Sequence, residues 1–335
     1  MKRRSPEPES YCPPYEVSET AATALAWICE DVGRRVALRE RQGLRLRRVN
    51  RIRSIQGSLA IEGNTLSETQ ISAVLEGKPV LAPPREVREV RNALKVYDAM
   101  PGLDPLSEAD LLRAHGILME GLLEASGRYR RGASGVMGKE GLVHVAPPAD
   151  RVPFLVRQLL GWLKTTSAHP LLAGAVFHYE FEFIHPFADG NGRMGRLWQS
   201  LILQRWNRLF ADLPVESLIH ARQADYYQAL NQSAQQSSCT PFIDFILLAI
   251  RDALRASPPE TTRKTTLKTT QKSPDARILA LLRKDPRASR KRLADLLGDI
   301  SEDGVKYHLK KLRETGKLTR IGPARGGQWQ VEDPA

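Results

Sequence analysis

Apolar residues recur at helical spacing through most of the first 255 positions. The spacing predicts helices over Ala21–Arg41, Val87–Met100, Ser107–Leu123, Val152–Thr165, Leu171–Ile184, Arg196–Trp206, Ala224–Gln235 and Pro241–Arg255. Start signals agree with several of these. Ser107 stands three residues before Asp110, Pro153 falls in a first turn, and Pro170 precedes an apolar run. One stretch breaks the rhythm: between Met137 and Pro148, two glycines, the run Leu142-Val143-His144-Val145 and a proline pair read as a short hairpin.

The helical pattern lapses twice. Residues 1–16 are proline-rich and polar and predict a mobile arm. Ala256–Pro274 contains a single large apolar residue, Leu267, which cannot bury a core, so the segment reads as a disordered linker. Three short helical patterns follow, Pro274–Arg283, Ser289–Leu297 and Ser301–Glu314. Gly316 ends the third, and LTRIGPARGGQWQV gives two strands around a glycine-rich turn. Three helices with a two-stranded wing outline a winged helix-turn-helix. The expected organisation is mainly α: an arm (1–16), a first helical region (17–100), a second (101–255), a linker (256–274) and a small C-terminal domain (275–335).

Charge sharpens this division. The 335 residues carry a net charge of +12, yet Thr261–Arg325 alone holds 18 Lys and Arg against 7 Asp and Glu. The front of the chain is close to neutral and the tail is basic, which suggests a polyanionic partner for the tail. The three cysteines, Cys12, Cys29 and Cys239, are odd in number and far apart, so neither a disulfide framework nor a zinc cluster is expected. The basic start is followed by prolines and glutamates, and no apolar run approaches the ~18 residues of a membrane span. A cytoplasmic protein with no membrane partner is the expectation.

The segment HPFADGNGRMGR, His185–Arg196, concentrates chemistry. Gly190-Asn191-Gly192 sits just before an amphipathic helix, where turning backbone and a helix N-terminus make an anion cradle. Arg193 and Arg196 occupy neighbouring positions of one turn, each able to fork phosphate oxygens. Asp189 is a hard oxygen ligand for Mg²⁺ (or Mn²⁺) beside that cradle. His185 could take a proton from an attacking hydroxyl, and Phe187 can lock the loop into the core.

This segment resembles the signature H-P-F-x-[D/E]-G-N-[G/K]-R-x-x-R of the Fic family, without departure. The resemblance implies a Fic-type helical bundle with a β-hairpin flap. It also implies a protein adenylyltransferase moving AMP from ATP to a Tyr, Thr or Ser hydroxyl with release of pyrophosphate. On that reading His185 is the general base and Asp189 holds the metal ion. Gly190, Asn191, Gly192, Arg193, Met194, Gly195 and Arg196 bind the nucleotide. Leu142, Val143, His144 and Val145 form a flap edge that holds the target as an added strand. RQADYYQALNQ resembles the late helix beside the adenine pocket, with Tyr227 as its candidate wall and Tyr226 in reserve.

Upstream, Ser58-Leu-Ala-Ile-Glu62-Gly63 resembles the family's inhibitory motif [S/T]-x-x-x-E-[G/N]. Ser58 and Glu62 share a helix face that Gly63 can end. The resemblance pairs Glu62 with Arg196 and implies low basal activity; in some relatives the same Glu instead serves removal of AMP. The tail resembles bacterial winged helix domains, with Lys306, Tyr307 and Lys310 on the exposed face of a recognition helix and Arg325 at the wing turn. Duplex DNA and a docked protein are both open as its partner. Two rival functions stand beside AMP transfer: a DNA-binding regulator with a nucleotide-sensing site, and the same chemistry with another nucleotide donor. A homodimer is compatible with all of them.

Overall fold

The computed structural model describes residues 11–37, 44–138, 141–257, 274–297, 301–323 and 327–332. The chain divides into two compact units, Met1–Pro259 and Glu260–Ala335. The first holds eleven helices among its described residues: α1 (Glu19–Ala37), α2 (Leu44–Ile61), α3 (Glu68–Leu75), α4 (Pro84–Ala99), α5 (Glu108–Leu118), α6 (Val152–Thr165), α7 (Pro170–Ile184), α8 (Asn191–Trp206), α9 (Val215–Ala221), α10 (Gln223–Gln236) and α11 (Thr240–Ala256). A hairpin of β1 (Gly135–Gly138) and β2 (Gly141–Val145) interrupts them between α5 and α6.

Helix α7 is the axis. Its sequence PLLAGAVFHYEFEFI is apolar on almost every side, as a helix surrounded by others must be. It packs against α6, α8 and α11, while α1 and α10 cover α11. Phe177, Phe181, Phe187, Trp198 and Phe242 are fully buried around it. Each such side chain contributes roughly 1.5–3 kcal/mol by leaving water.

Three helices were not legible from apolar spacing. Helix α2 turns Asn50, Ser54 and Ser58 inward among Ile52, Ile55 and Leu59, so its buried face is half polar. It crosses α9 so closely that a Cβ on Gly57 would lie 2.6 Å from the backbone of Glu216 and Ser217. Helices α3 and α9, of 8 and 7 residues, are too short to display a period. Helix α8 begins at Asn191, five residues earlier than its apolar pattern, because its first turn is made of the signature itself.

The N-terminal segment corrects another expectation. Residues 11–16, expected within a mobile arm, lie against the bundle. Tyr11 donates to the buried Glu180. Cys239 N–H reaches the Pro14 carbonyl at 2.8 Å, and Glu16 N–H reaches Thr240 Oγ1 at 2.9 Å. Tyr11 and Tyr15 supply apolar surface to the core, and the stiffness of Pro13 and Pro14 lowers the entropy lost on docking. Residues 1–10 and 258–273, the rest of the expected arm and most of the expected linker, lie outside the described residues.

The second unit contains α12 (Pro274–Lys284), α13 (Arg290–Leu297), α14 (Glu302–Glu314), β3 (Leu318–Ile321) and β4 (Gln328–Val331). Ile278, Leu282, Leu293, Leu297, Val305, Leu309, Leu312 and Leu318 form its core. The strands pair antiparallel, Leu318 opposite Val331 and Ile321 opposite Gln328, as a wing. No helix among the described residues is long and apolar enough to cross a membrane.

Candidate active site

The turn between α7 and α8 is built from its own side chains. Helix α7 stops at Ile184 because His185 adopts the left-handed region, φ 48° and ψ 61°, with its N–H still bonded to the Phe181 carbonyl at 2.9 Å. Phe187 then plugs into the core. Asn191 closes the loop with two bonds to Phe187, accepting from its N–H and donating to its carbonyl, each at 2.9 Å. Gly190, φ 86°, starts α8; a Cβ there would meet Met119 Sδ at 2.8 Å. The first N–H groups of a helix lack intrahelical acceptors, so this end of α8 offers donors and positive potential to an anion.

Two signature residues are packed tightly into the fold. Met194 is buried, and its N–H bonds the Gly190 carbonyl at 3.0 Å, so neither its side chain nor its N–H is available to a phosphate. Gly195 makes room for neighbours: a Cβ there would lie 2.7 Å from the His178 ring and 3.2 Å from Glu182 Oε1.

The two arginines differ in their partners. Arg193 lies 3.1 Å from Asp189 Oδ1 and 3.6 Å from Glu89 Oε1. Its buried Nε has no hydrogen-bond partner among the described residues. Arg196, whose side chain is 1% exposed, is gripped harder: Nη2 donates to Glu62 Oε1 at 2.6 Å and to the Ser58 carbonyl at 3.0 Å, and Nε to Ser58 Oγ at 3.1 Å. Burial works against this guanidinium, yet Glu62, Tyr226 and Glu182 together push its pKa up. Glu62 follows the end of α2, where Gly63 takes φ 91°. A Cβ on Gly192 would fall on the Glu62 carboxylate, so helix and signature touch without a gap.

Asp189 is the exposed acid of the turn, 41% exposed at its side chain. Its Oδ1 accepts from Gly190 N–H at 2.6 Å, and Oδ2 stands 3.5 Å from Arg85. Among the described residues no cluster of three or more His, Cys, Asp or Glu forms a ready metal cage. A lone carboxylate beside an anion cradle suits Mg²⁺, which keeps waters and takes its remaining ligands from phosphates. The residues present fit a divalent cation that arrives with a nucleotide.

Four neighbours escaped sequence reasoning because only tertiary structure brings them here. His115 of α5 accepts from Gly127 N–H at Nδ1 (2.9 Å), which leaves Nε2–H to donate to the Asp189 carbonyl at 3.0 Å. Its ring stacks on Phe187, centroids 3.7 Å apart, and burial lowers its pKa to about 4, so it is a neutral buttress. Glu89 of α4 pairs with Arg193 and also accepts from Asn64 at 2.9 Å, tying the loop after Glu62 to the signature. Glu182 of α7 is buried 3.8 Å from His178 Nε2, with Oε1 lacking a hydrogen-bond partner. Burial raises its pKa to about 8 against the pull of Arg196. Arg130 donates to the His185 carbonyl at 2.7 Å.

Tyr227 lies on α10, 40% exposed, while Tyr226 beside it is fully buried and bonded to His178 at 3.2 Å. Tyr226 is therefore core, and Tyr227 is the ring open to a ligand. Leu142, Val143, His144 and Val145 all fall in β2, which runs near α10. The register skips Val143: His144 faces Val136 and Leu142 faces Met137. The free side of β2 has no strand partner among the described residues.

In the second unit Lys306, Tyr307 and Lys310 are exposed on α14. Lys311, on the same helix, is held by Asp275 at 3.1 Å. Arg325 lies outside the described residues.

A helix N-terminus, two buried guanidiniums, a metal-competent acid and an imidazole within one turn can bind a polyphosphate and deprotonate an incoming hydroxyl. Residues 105–203 match the Fic/DOC family, and residues 274–319 match a winged helix-turn-helix DNA-binding family. A Fic family protein of Desulfovibrio desulfuricans G20 is 43% identical over 97% of this chain and 99% of its own, with a TM-score of 0.72. A Fic-1 structure from C. elegans shares the fold at 22% identity, 73% and 74% coverage and a TM-score of 0.60. Among curated proteins, a protein adenylyltransferase Fic of Culex quinquefasciatus is 30% identical over 58% of this chain and 39% of its own length. One of Nematostella vectensis is 29% identical over 57% and 45%. The chain thus spans about two fifths of the length of these curated relatives.

Proposed function

The chain belongs to the Fic family, and from that premise we propose that it is a protein adenylyltransferase that moves AMP from ATP to a Tyr, Thr or Ser hydroxyl of a protein. The observation that carries the reading is the grip on Arg196. A phosphate-binding guanidinium and an upstream carboxylate are joined at 2.6 Å, which makes sense where a nucleotide is bound and must be kept from binding productively.

In this reading the β- and γ-phosphates take the α8 N-terminus, Arg193 and Arg196. Asp189 would hold Mg²⁺, which when bound neutralises phosphate charge. Tyr227 lies beside the base. The target lies along β2 as an added strand, exposing one hydroxyl to His185. The hydroxyl oxygen bonds to the α-phosphorus as the bond to the bridging oxygen breaks; His185 takes the proton, and pyrophosphate leaves with the electron pair. Catalysis is mostly placement and charge neutralisation. Glu62, by occupying Arg196, keeps the γ-phosphate out and the basal rate low. The basic face of α14, with Lys306, Tyr307 and Lys310, suits phosphate contacts with duplex DNA, which would fix where the enzyme acts.

The test uses the full chain with Glu62→Gly and ATP labelled at the α-phosphate. Protein-bound label that appears with Glu62→Gly and vanishes on adding His185→Ala is the expected result. Label absent with ATP and with every other labelled nucleotide tried would sink the reading; label from another base alone would change the donor.

A further inference from the structure

Resting on that reading, we infer that Arg130 is a positioning residue that locks the target-holding hairpin and the general base to a single anchor.

Arg130 lies between α5 and β1 and is buried. Its guanidinium reaches four main-chain carbonyls. Nε donates to His185 at 2.7 Å, Nη1 to Gly132 at 2.9 Å, and Nη2 to Pro147 at 2.5 Å and to Ile184 at 3.3 Å. Its own N–H adds a fifth bond, to the Pro186 carbonyl at 3.0 Å. Gly132 enters the hairpin before β1 and Pro147 leaves it after β2. A bond from Ala146 N–H to the Ser134 carbonyl at 3.1 Å closes the stems above the guanidinium. Ile184, His185 and Pro186 form the turn that presents the imidazole.

Such a site is costly to build. Burial lowers the pKa of Arg130, so desolvation is not offset by a neighbouring negative charge. The arrangement persists because one fork satisfies the carbonyls of two segments, the hairpin stem and the turn after α7. It also has work to do at His185, whose left-handed backbone is uncommon for a residue with a side chain. The bond from Nε fixes the plane of the peptide after His185, and the bond from the Arg130 backbone fixes the next one. The hairpin and the imidazole therefore cannot shift independently, and a target strand laid on β2 is registered against the base through one planar group. Lysine, a point donor, cannot span four carbonyls.

The experiment compares Arg130→Lys with its parent in full-length Glu62→Gly protein. The expected result has three parts. ATP affinity by calorimetry stays within about twofold. Single-turnover self-labelling by α-labelled ATP falls about 10- to 100-fold, the cost of a misplacement near 1 Å. Hydrogen exchange rises together in residues 132–147 and 184–187 and stays unchanged in α7 and α11. A merely structural role would raise exchange throughout and lower the melting temperature. Two results overturn the inference: exchange that rises in the hairpin alone with labelling intact, or ATP affinity lost in step with labelling. If Arg130→Lys does not fold, native exchange of the parent decides, because the coupling demands one opening free energy for both segments and unequal values refute it. Absence of self-labelling in the parent would instead refute AMP transfer and leave the exchange comparison standing.

Discussion

Replacing Glu62 with glycine should make the empty protein less stable and its nucleotide complex tighter, and the sizes follow from Arg196. With Nη2 and Oε1 at 2.6 Å, the charge centres lie about 4 Å apart, worth about 4 kcal/mol at an effective dielectric constant near 20. Glu62 is 33% exposed at its side chain, so solvent screening removes about half and leaves about 2 kcal/mol. A triphosphate must displace this carboxylate. Its removal should tighten ATP about 30-fold, since 1.4 kcal/mol is tenfold.

The same deletion strands a guanidinium that is 1% exposed, and breaking a buried pair commonly costs about 3–5 kcal/mol. Glu182 softens that loss. Its pKa is raised to about 8 partly by Glu62 itself, so once Glu62 is gone ionising Glu182 at pH 7 costs at most about 1.4 kcal/mol, after which it can serve as counter-charge. The net destabilisation should be about 2–3 kcal/mol, or about 4–10 °C in the melting temperature of the N-terminal unit. Thermal melts with and without ATP, paired with calorimetric titration, read both quantities. Adding Glu182→Gln should deepen the apo loss beyond the sum of the single changes by about 1 kcal/mol or more. An unchanged melting temperature together with unchanged ATP affinity, or strict additivity of the two substitutions, would refute this accounting.

Two further outcomes follow from charge. In the folded state Glu182 keeps its proton to about pH 8, whereas an unfolded Glu releases it near pH 4.3. Its stability contribution is therefore whole below about pH 4.3 and is lost as pH rises to about 8, by at most about 1.4 kcal/mol per unit. Glu182→Gln should gain several degrees on the parent between pH 5 and pH 8 in thermal melts. In the second unit, Lys306→Glu with Lys310→Glu should weaken duplex DNA binding and flatten the slope of log K against log salt by about 1 or more per lost phosphate contact. Unchanged binding in a fluorescence titration would remove α14 from the interface.

The signature was legible because it is contiguous: an imidazole, a carboxylate, a glycine turn and two guanidiniums fall between His185 and Arg196, and Asn191 closes the turn on Phe187, even though His115 and Arg130 brace it from elsewhere. Glu62 was legible through its local pattern beside Ser58, both of which now hold Arg196. His115, Glu89, Arg130 and Glu182 were not. Each looks like an ordinary helix or loop residue; His115, Glu89 and Arg130 gain meaning from partners far along the chain, and Glu182 from Arg196 across the turn. His115, for instance, meets Asp189 across 74 positions. Helix α2, read only at its Ser58–Glu62 end, escaped apolar spacing for a related reason. The residues that would have marked its buried face are Asn50, Ser54 and Ser58, all polar; Ser54 meets Glu216 and Ser58 meets Arg196. Met194 and Gly195, inside the signature, also pack its helix against its neighbours.

A pocket for a triphosphate must solve a problem before its ligand arrives, since a buried guanidinium without a counter-charge opposes folding. Here two arginines are met by Asp189 and Glu89 on one side and by Glu62 on the other, with Glu182 in reserve. The site is therefore neutralised, and a nucleotide enters by exchange rather than by filling an open positive field. The exchange is unequal. Arg193 lies 3.1 and 3.6 Å from its two acids, whereas Arg196 is held at 2.6 Å with two more bonds to Ser58 on the same helix. The harder grip decides which contact limits entry. On the proposed reading regulation would fall at Arg196, where the folded protein most needs a negative charge, and a partner that freed the site would have to move the end of α2 or bring a charge of its own.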